Sequence, residues 1–135
     1  MNPIFLSLDE VIKIHHLQIE QYGGSHGLRD MGLLQSALAM PESGFGDQYL
    51  HEDLASMAAA YFFHLAQNHA FIDGNKRTAV AAALIFLSLN EQNTDFNEKE
   101  LEELILKTAS GQILKNEIAS FFRARSPGTI RGDNK

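Results

Sequence analysis

An uninterrupted apolar stretch from Ala79 to Leu87, rich in alanine and leucine, is the feature that most restricts how this chain can fold. A helix of this composition has no polar face to offer to water, so it must be buried on most sides. The ten residues before it have the opposite character and read His69-Ala70-Phe71-Ile72-Asp73-Gly74-Asn75-Lys76-Arg77-Thr78. A hydrophobic core does not need an imidazole, a carboxylate, an amide and two cations in one run. The sequence therefore predicts a buried helix whose N-terminal end carries out chemistry.

The start of this helix has the composition of a phosphate site. The first amides of a helix lack partners within it, and together with the helix dipole they attract anions. Gly74 and Asn75 stand near the helix start, where a glycine can adopt positive φ and lets a ligand approach the backbone. Lys76 and Arg77 in the first turn oppose the dipole, which is unfavourable unless an anion is bound. These residues predict binding of phosphate groups.

Two further residues of the run supply the groups that phosphate chemistry requires. Asp73 beside a phosphate would be repelled by it unless a divalent cation lay between them, and Mg²⁺ commonly takes one or two carboxylates together with phosphate oxygens. His69, at the end of the preceding helix, is the natural general base for an attacking hydroxyl. Phe71 is expected to be the buried anchor of the loop. The combination predicts phosphoryl or nucleotidyl transfer.

Simpler interpretations account for these residues only one at a time. Asp73 and Asn75 alone would be turn and cap residues, and the two cations alone would be a solvated face, but capping does not call for adjacent cations at a helix start. A P-loop is excluded because the run lacks the Gly-Lys-Ser/Thr order and follows a helix. A zinc site is not favoured by the spacing of His64 and His69 in a chain without cysteine. The histidines outside the run are interpreted as ordinary core or surface residues: His15, His16, His26, His51 and His64.

The rest of the sequence predicts an all-α domain of six helices. The expected boundaries are a first helix from the Ser7/Glu10 capping box to Gly23-Gly24, a second from Asp30 to Pro41, a third over Asp53–Asn68, a fourth over the apolar stretch, a fifth from Asn97/Glu100 to Gly111, and a sixth through Leu114, Ile118, Phe121 and Phe122. Ala58-Ala59-Ala60 and Ala81-Ala82-Ala83 should let the third and fourth helices pack closely as a central pair. Residues 1–125 are predicted to form one domain, and residues 126–135 a disordered tail.

Composition narrows the function further. The 135 residues are 44% hydrophobic, lack cysteine and carry a net charge of −6. This is enough apolar material for one core without disulfides, and the negative charge argues against direct nucleic-acid binding. The N-terminus has no signal-peptide pattern and the apolar stretch is too short to span a membrane, so a cytoplasmic location is expected.

At the run His69–Arg77 the sequence resembles the Fic family, and within it the Doc ("death on curing") branch. The Fic pattern His-Pro-Phe-x-Asp/Glu-Gly-Asn-Gly-Arg-x-x-Arg is matched at His69, Phe71, Asp73, Gly74, Asn75 and Arg77. The chain departs from it at Ala70, at Lys76 in place of the second glycine, and at Val80 in place of the second arginine. Lysine at this position is typical of Doc proteins, whereas Gly74 remains Fic-like, since Doc proteins often have alanine there. The resemblance continues through Tyr22-Gly23-Gly24 and 27–38, and covers the chain from Ser7 to about Arg123.

The resemblance implies a Fic-type helical core and a Doc-type toxin kinase. It implies that ATP·Mg²⁺ is the donor and that its γ-phosphate passes to a Ser/Thr hydroxyl of a protein target, with elongation factor Tu as the expected target and arrest of translation as the result. The implied roles are His69 as base, Asp73 as the Mg²⁺ ligand, and Gly74, Asn75, Lys76 and Arg77 as phosphate-binding residues. Transfer of AMP to a protein hydroxyl stays an alternative because of Gly74. A catalytically inactive binding module of the same fold is a second alternative.

Two expectations concern control and target docking. The chain lacks the inhibitory Ser/Thr-x-x-x-Glu-Gly/Asn helix of many Fic proteins, because Thr94–Glu98 has the spacing but Lys99 follows it. Inhibition is therefore expected from a separate Phd-like antitoxin, as the resemblance implies. The connection over residues 41–50 has two interpretations. It is either a connector with Phe45 and Tyr49 tucked into the core, or a flap that pairs with an extended target segment.

Overall fold

The computed structural model describes residues 2–125, and their fold is all-α, as the sequence predicts. The elements of this part of the chain are α1 (Leu8–Tyr22), α2 (Met31–Ala39), β1 (Gly44–Phe45), β2 (Gln48–Tyr49), α3 (Leu54–Asn68), α4 (Asn75–Leu89), α5 (Glu98–Ala109) and α6 (Lys115–Arg125). The predicted disordered tail, residues 126–135, lies outside the described residues. None of the helices in the described part has the length and hydrophobicity needed to cross a membrane.

Side-chain caps set the helix boundaries. At α1 the Glu10 amide donates to Ser7 Oγ at 3.1 Å and the Ser7 amide donates to Glu10 Oε1 at 2.7 Å, which is the predicted capping box. Asp53 and Asn97 accept from the third helical amide at the starts of α3 and α5. Because these signals are local, the starts predicted for α1, α3 and α5 agree with the observed ones within about a residue.

Helices α3 and α4 form the central pair, with α6 on α3 and α1 on α4. Ala58, Ala59 and Ala60 of α3 are fully buried, as are Ala82 and Ala83 of α4, whereas Ala81 is half-buried. Small side chains on both helices let the two backbones approach closely, which confirms the predicted packing. The N-terminus of α4 consequently lies at one end of this pair, beside α1.

The connection between α2 and α3 contains a short hairpin. Strands β1 and β2 pair antiparallel, with Gly44 opposite Tyr49. Phe45 at its tip is 92% exposed, while Tyr49 packs on Phe5 with ring centroids 5.6 Å apart. The interpretation that placed Phe45 in the core is therefore excluded, and the hairpin presents an apolar side chain to solvent.

Candidate active site

An open cleft of about 380 Å³ lies between the C-terminal end of α1 and the start of α4. The end of α1 forms one wall, and the loop joining α3 to α4 forms the other. All six predicted site residues line this cleft: His69, Asp73, Gly74, Asn75, Lys76 and Arg77. Its volume lies within the usual range for small-molecule sites.

His69 is the C-terminal cap of α3 and is exposed to the cleft. Its backbone is left-handed, with φ 51° and ψ 48°, a conformation that costs a residue other than glycine about 1–3 kcal/mol. The Arg29 guanidinium holds the His69 carbonyl, with Nε donating at 2.8 Å. This contact fixes the backbone from which the imidazole projects.

The carboxylate of Asp73 is exposed and held by backbone amides on both oxygens. The Ser25 amide donates to Oδ2 at 3.0 Å and the Gly74 amide donates to Oδ1 at 2.9 Å. These two donors hold the pKa of the Asp73 carboxyl below its usual value, so it is ionised at neutral pH. Gly24 is required beside it, because φ there is +112° and an added Cβ would lie 2.7 Å from Asp73 Oδ2.

Gly74 precedes α4 and lies close against α1. Its backbone is left-handed at φ +75°, as the sequence predicts, and a Cβ added there would lie 2.9 Å from Ile19 Cδ1 of α1. The first bond of the helix runs from the Thr78 amide to the Gly74 carbonyl at 3.0 Å. The amides of Asn75, Lys76 and Arg77 therefore precede the intrahelical ladder and remain for an anion.

The Asn75 side chain forms hydrogen bonds with the backbone of the loop between α3 and α4. Its Oδ1 accepts from the Phe71 amide at 2.9 Å, and its Nδ2 donates to the Phe71 carbonyl at 2.9 Å. Asn75 is only 8% exposed and Phe71 only 3%. Asn75 is therefore placed to meet a phosphate through its backbone amide, while its side chain stabilises the loop, and Phe71 is the buried anchor that the sequence predicts.

The two cations of the first turn differ in their contacts. Within residues 2–125 no carboxylate pairs with Lys76, which is half-buried at the cleft. Arg77 pairs with Glu102 of α5 at 3.2 Å, and its guanidinium carbon lies 4.2 Å from the centre of the Tyr22 ring. Of these two cations, only Arg77 has a carboxylate partner among the described residues, so Lys76 is the one that no carboxylate competes for.

Sequence reasoning missed the residues that support the loop from a distance. His15 of α1 stacks on Phe71, with ring centroids 3.8 Å apart, and its Nε2 lies 2.8 Å from the Asp73 carbonyl oxygen. Burial lowers the pKa of His15, so its neutral form donates this bond at neutral pH. Nothing in its spacing distinguishes His15 from the other histidines, because its partners lie more than fifty residues along the chain.

The segment 23–30, which follows α1, clamps the same loop. The Arg29 and Asp30 amides donate to the Ala70 carbonyl at 2.8 and 3.0 Å, and the Ile72 amide donates to the Gly27 carbonyl at 3.0 Å. This short antiparallel bridge centres on Leu28 and Phe71. It accounts physically for the glycine-rich pattern upstream of the run, since the segment must approach the loop closely.

Comparison with known proteins agrees with this architecture. The sequence profile of the Fic/DOC family matches residues 5–87. The chain is 32% identical over 118 residues to "Protein kinase doc" of Escherichia phage P1, covering 87% of this chain and 92% of that protein. It is 37% identical over 113 residues to "Toxin Doc" of Mycolicibacterium smegmatis, covering 79% of this chain and 87% of that protein. The chain belongs to the Fic/DOC family and is similar to Doc toxins along most of its length.

Proposed function

We propose that this protein is a Doc-type toxin that transfers the γ-phosphate of ATP to a Ser/Thr hydroxyl of a protein target. The single observation that carries the proposal is the cleft itself, where His69, the Asp73 carboxylate and the open N-terminus of α4 face one space. The relative from phage P1 bears the name of a protein kinase, which supports the same chemistry. The expected target is elongation factor Tu, whose phosphorylation would arrest translation.

Each residue of the cleft has a separate role in the proposed phosphate transfer. His69 takes the proton of the target hydroxyl as its oxygen bonds to the γ-phosphorus, while the bond from that phosphorus to the β–γ bridging oxygen breaks and ADP leaves. The α4 amides and Lys76 hold the phosphate oxygens, where charge must be stabilised. The ionised Asp73 fits a Mg²⁺ ligand, because each of its oxygens accepts one hydrogen bond from a backbone amide and keeps further lone pairs. Mg²⁺ bound there would neutralise phosphate charge.

Lys76 and Val80 favour phosphate over AMP transfer. Lysine replaces the second glycine of the Fic pattern, and Val80 is 9% exposed and apolar where nucleotidyl-transferring members have an arginine for the terminal phosphate. Gly74 is the one observation that favours the AMP alternative. The choice of phosphate over AMP transfer therefore rests on two side chains in the first two turns of α4.

Labelled ATP separates these possibilities. Elongation factor Tu is incubated with the purified chain, Mg²⁺ and ATP labelled at either the γ or the α position. We expect label from the γ position alone, and its loss by about two to four decades in His69→Ala with an unchanged circular dichroism spectrum. Label from the α position would establish AMP transfer instead, and transfer by His69→Ala at the wild-type rate would refute the assigned base.

We also propose a Phd-like antitoxin as partner. A groove between α1, α4 and α5 adjoins Arg77 and is lined by apolar side chains that include Val80, Leu101 and Ile105. An antitoxin segment that folds on binding into an amphipathic helix could bury its apolar face there. The chain should be toxic when expressed alone, and co-expression with a neighbouring small open reading frame should relieve the toxicity.

Two variants of α5 make the partner test specific. Ile105→Asp places a charge in the groove and should abolish co-purification with the antitoxin, whereas Leu106→Asp, at a residue 67% exposed and outside the groove lining, should not. Equal co-purification of both variants would place the antitoxin elsewhere. Harmless expression of the wild-type chain at high level would contradict the toxin proposal.

A further inference from the structure

Three exposed side chains of the types that can ligate a metal meet at the surface near the C-terminal end of α1. His16 and Glu20 are four residues apart on α1 and share one face, and His26 returns to that face from the segment 23–30. Their ligand atoms all lie within 4.8 Å of one another, and His26 Nε2 is 2.8 Å from Glu20 Oε2. The rings of His16 and His26 are 4.8 Å apart between centroids. No step of the proposed phosphate transfer uses this cluster.

The backbone holds the cluster in place without help from these side chains. Gly23 and Gly24 reverse the chain after α1 with φ of +88° and +112°. The backbone amide of the next residue, Ser25, donates a hydrogen bond to Asp73 Oδ2 at 3.0 Å, and the Gly27 carbonyl accepts one from the Ile72 amide at 3.0 Å. His26 is therefore held between two anchored residues, so little ordering is needed to bring its imidazole to α1.

The donor set is that of a transition-metal site with open positions. Two imidazoles and one carboxylate are the protein ligands of several zinc centres, and imidazole suits Zn²⁺ whereas Mg²⁺ and Ca²⁺ prefer oxygen. Bond lengths of about 2.0–2.2 Å in a tetrahedral site place ligand atoms about 3.4 Å apart. All three side chains are exposed, so rotation of their ends can close the remaining gap. The Glu20–His26 contact alone would be an ordinary surface pair and would not account for His16.

We propose that His16, Glu20 and His26 form a binding site for one Zn²⁺ ion, separate from the catalytic cleft. Because His26 follows Ser25, whose amide holds Asp73 Oδ2 at 3.0 Å, zinc bound there would fix the segment beside the proposed catalytic carboxylate. The site would tie α1 to that segment by direct coordination, adding to the hydrogen bonds already present.

Zinc titration of the untagged, chelator-treated chain tests the site without any nucleotide. Isothermal titration with ZnCl₂ should give one ion per chain, and MgCl₂ and CaCl₂ at the same concentrations should give no comparable binding at this cluster. His16→Gln and His26→Gln each remove a direct ligand, so zinc affinity should fall by more than the 10–100-fold typical for loss of an outer-shell partner. Circular dichroism of each variant establishes that it is folded.

Two controls separate this site from the cleft. His69→Gln and Lys76→Gln change side chains of the cleft and leave the bond from the Ser25 amide to Asp73 intact, so both variants should keep the zinc affinity of the wild type, and failure of phosphate transfer would not affect this result. The proposal is overturned if the wild-type chain binds no zinc at micromolar concentrations, if His16→Gln and His26→Gln bind it as tightly as the wild type, or if His69→Gln abolishes binding.

Discussion

Replacing Asn75 with alanine should destabilise the protein far more than replacing an asparagine with the same bonds in an exposed position. The Asn75 amide makes both bonds to the backbone of Phe71, at 2.9 Å each, in a setting where Asn75 is 8% and Phe71 3% exposed. The bridge to Leu28 does not use these two Phe71 groups, so no neighbour replaces the lost partner. Alanine would leave a buried amide and a buried carbonyl unpaired.

The expected magnitude follows from those two groups. Each unsatisfied buried group costs about 1–3 kcal/mol, and the better helix propensity of alanine returns about 0.5 kcal/mol. Asn75→Ala should therefore lower the free energy of unfolding by about 2–5 kcal/mol, a large share of the roughly 5–15 kcal/mol of a typical domain. Denaturant titration measures this, provided that the m-value is unchanged.

Asn90 offers the matched control. It also binds both polar backbone groups of one residue, with Oδ1 accepting from the Ile4 amide at 2.8 Å and Nδ2 donating to the Ile4 carbonyl at 2.9 Å, but solvent reaches these groups. Nδ2 donates as well to the Phe86 carbonyl at 2.8 Å, and that carbonyl keeps the Asn90 backbone amide as a donor at 3.2 Å when the side chain is removed. Water can replace the lost partner there, so Asn90→Ala should cost only about 1 kcal/mol. Equal losses for the two variants, or a loss below about 0.5 kcal/mol for Asn75→Ala, would refute the argument that burial makes the Asn75 bonds decisive.

Three further predictions concern the cations and pH. Glu102→Gln frees Arg77 from a half-exposed ion pair worth at most about 1 kcal/mol, so KM for ATP should fall by up to about fivefold with kcat unchanged. The neighbouring Glu103→Gln is the control and should leave KM unchanged. A higher KM in Glu102→Gln would contradict this prediction. Lys76→Gly should reduce transfer of label from the γ-phosphate of ATP. Because position 80 is not an arginine, the variant should transfer little label from the α-phosphate. Unchanged transfer from the γ-phosphate would show that Lys76 does not bind the nucleotide. Burial and a neighbouring lysine lower the pKa of His64 to about 4, so below about pH 6.5 the unfolded chain binds more protons than the folded one and stability falls as pH drops. Denaturant titration of His64→Gln between pH 7 and 5 should show a flatter loss, and an equally steep one would exclude this residue.

Local signals in the sequence were enough to predict the helices and the position of the run. The capping box at Ser7, the caps at Asp53 and Asn97, and the runs of three alanines in α3 and α4 each act within a few residues or along one helix face, and the structure agrees at each. The same locality predicted that His69 ends α3 and that Phe71 is buried. These features follow from backbone geometry and hydrophobic periodicity alone.

The supporting contacts of the cleft could not be predicted in this way. Arg29 reaches the His69 carbonyl across forty residues, and Glu102 reaches Arg77 across twenty-five. Asn75 has the residue type of a phosphate ligand, yet its side chain is used to hold Phe71, a choice that depends on the burial of the loop. Such pairings arise from how the segment 23–30, the loop between α3 and α4, and helices α4 and α5 pack together, and residue spacing along the sequence does not predict that packing.

The intact mass of elongation factor Tu after incubation with this protein, ATP and Mg²⁺ tests the central claim most directly. The cleft should transfer one γ-phosphate, so the target should gain the mass of a single phosphate, and His69→Ala treated in parallel should leave it unmodified. A gain of the mass of AMP would show that the nucleotide lies in the opposite orientation. An unchanged mass, with folded protein and intact target present, would contradict the assignment of this cleft as a kinase site acting on that target.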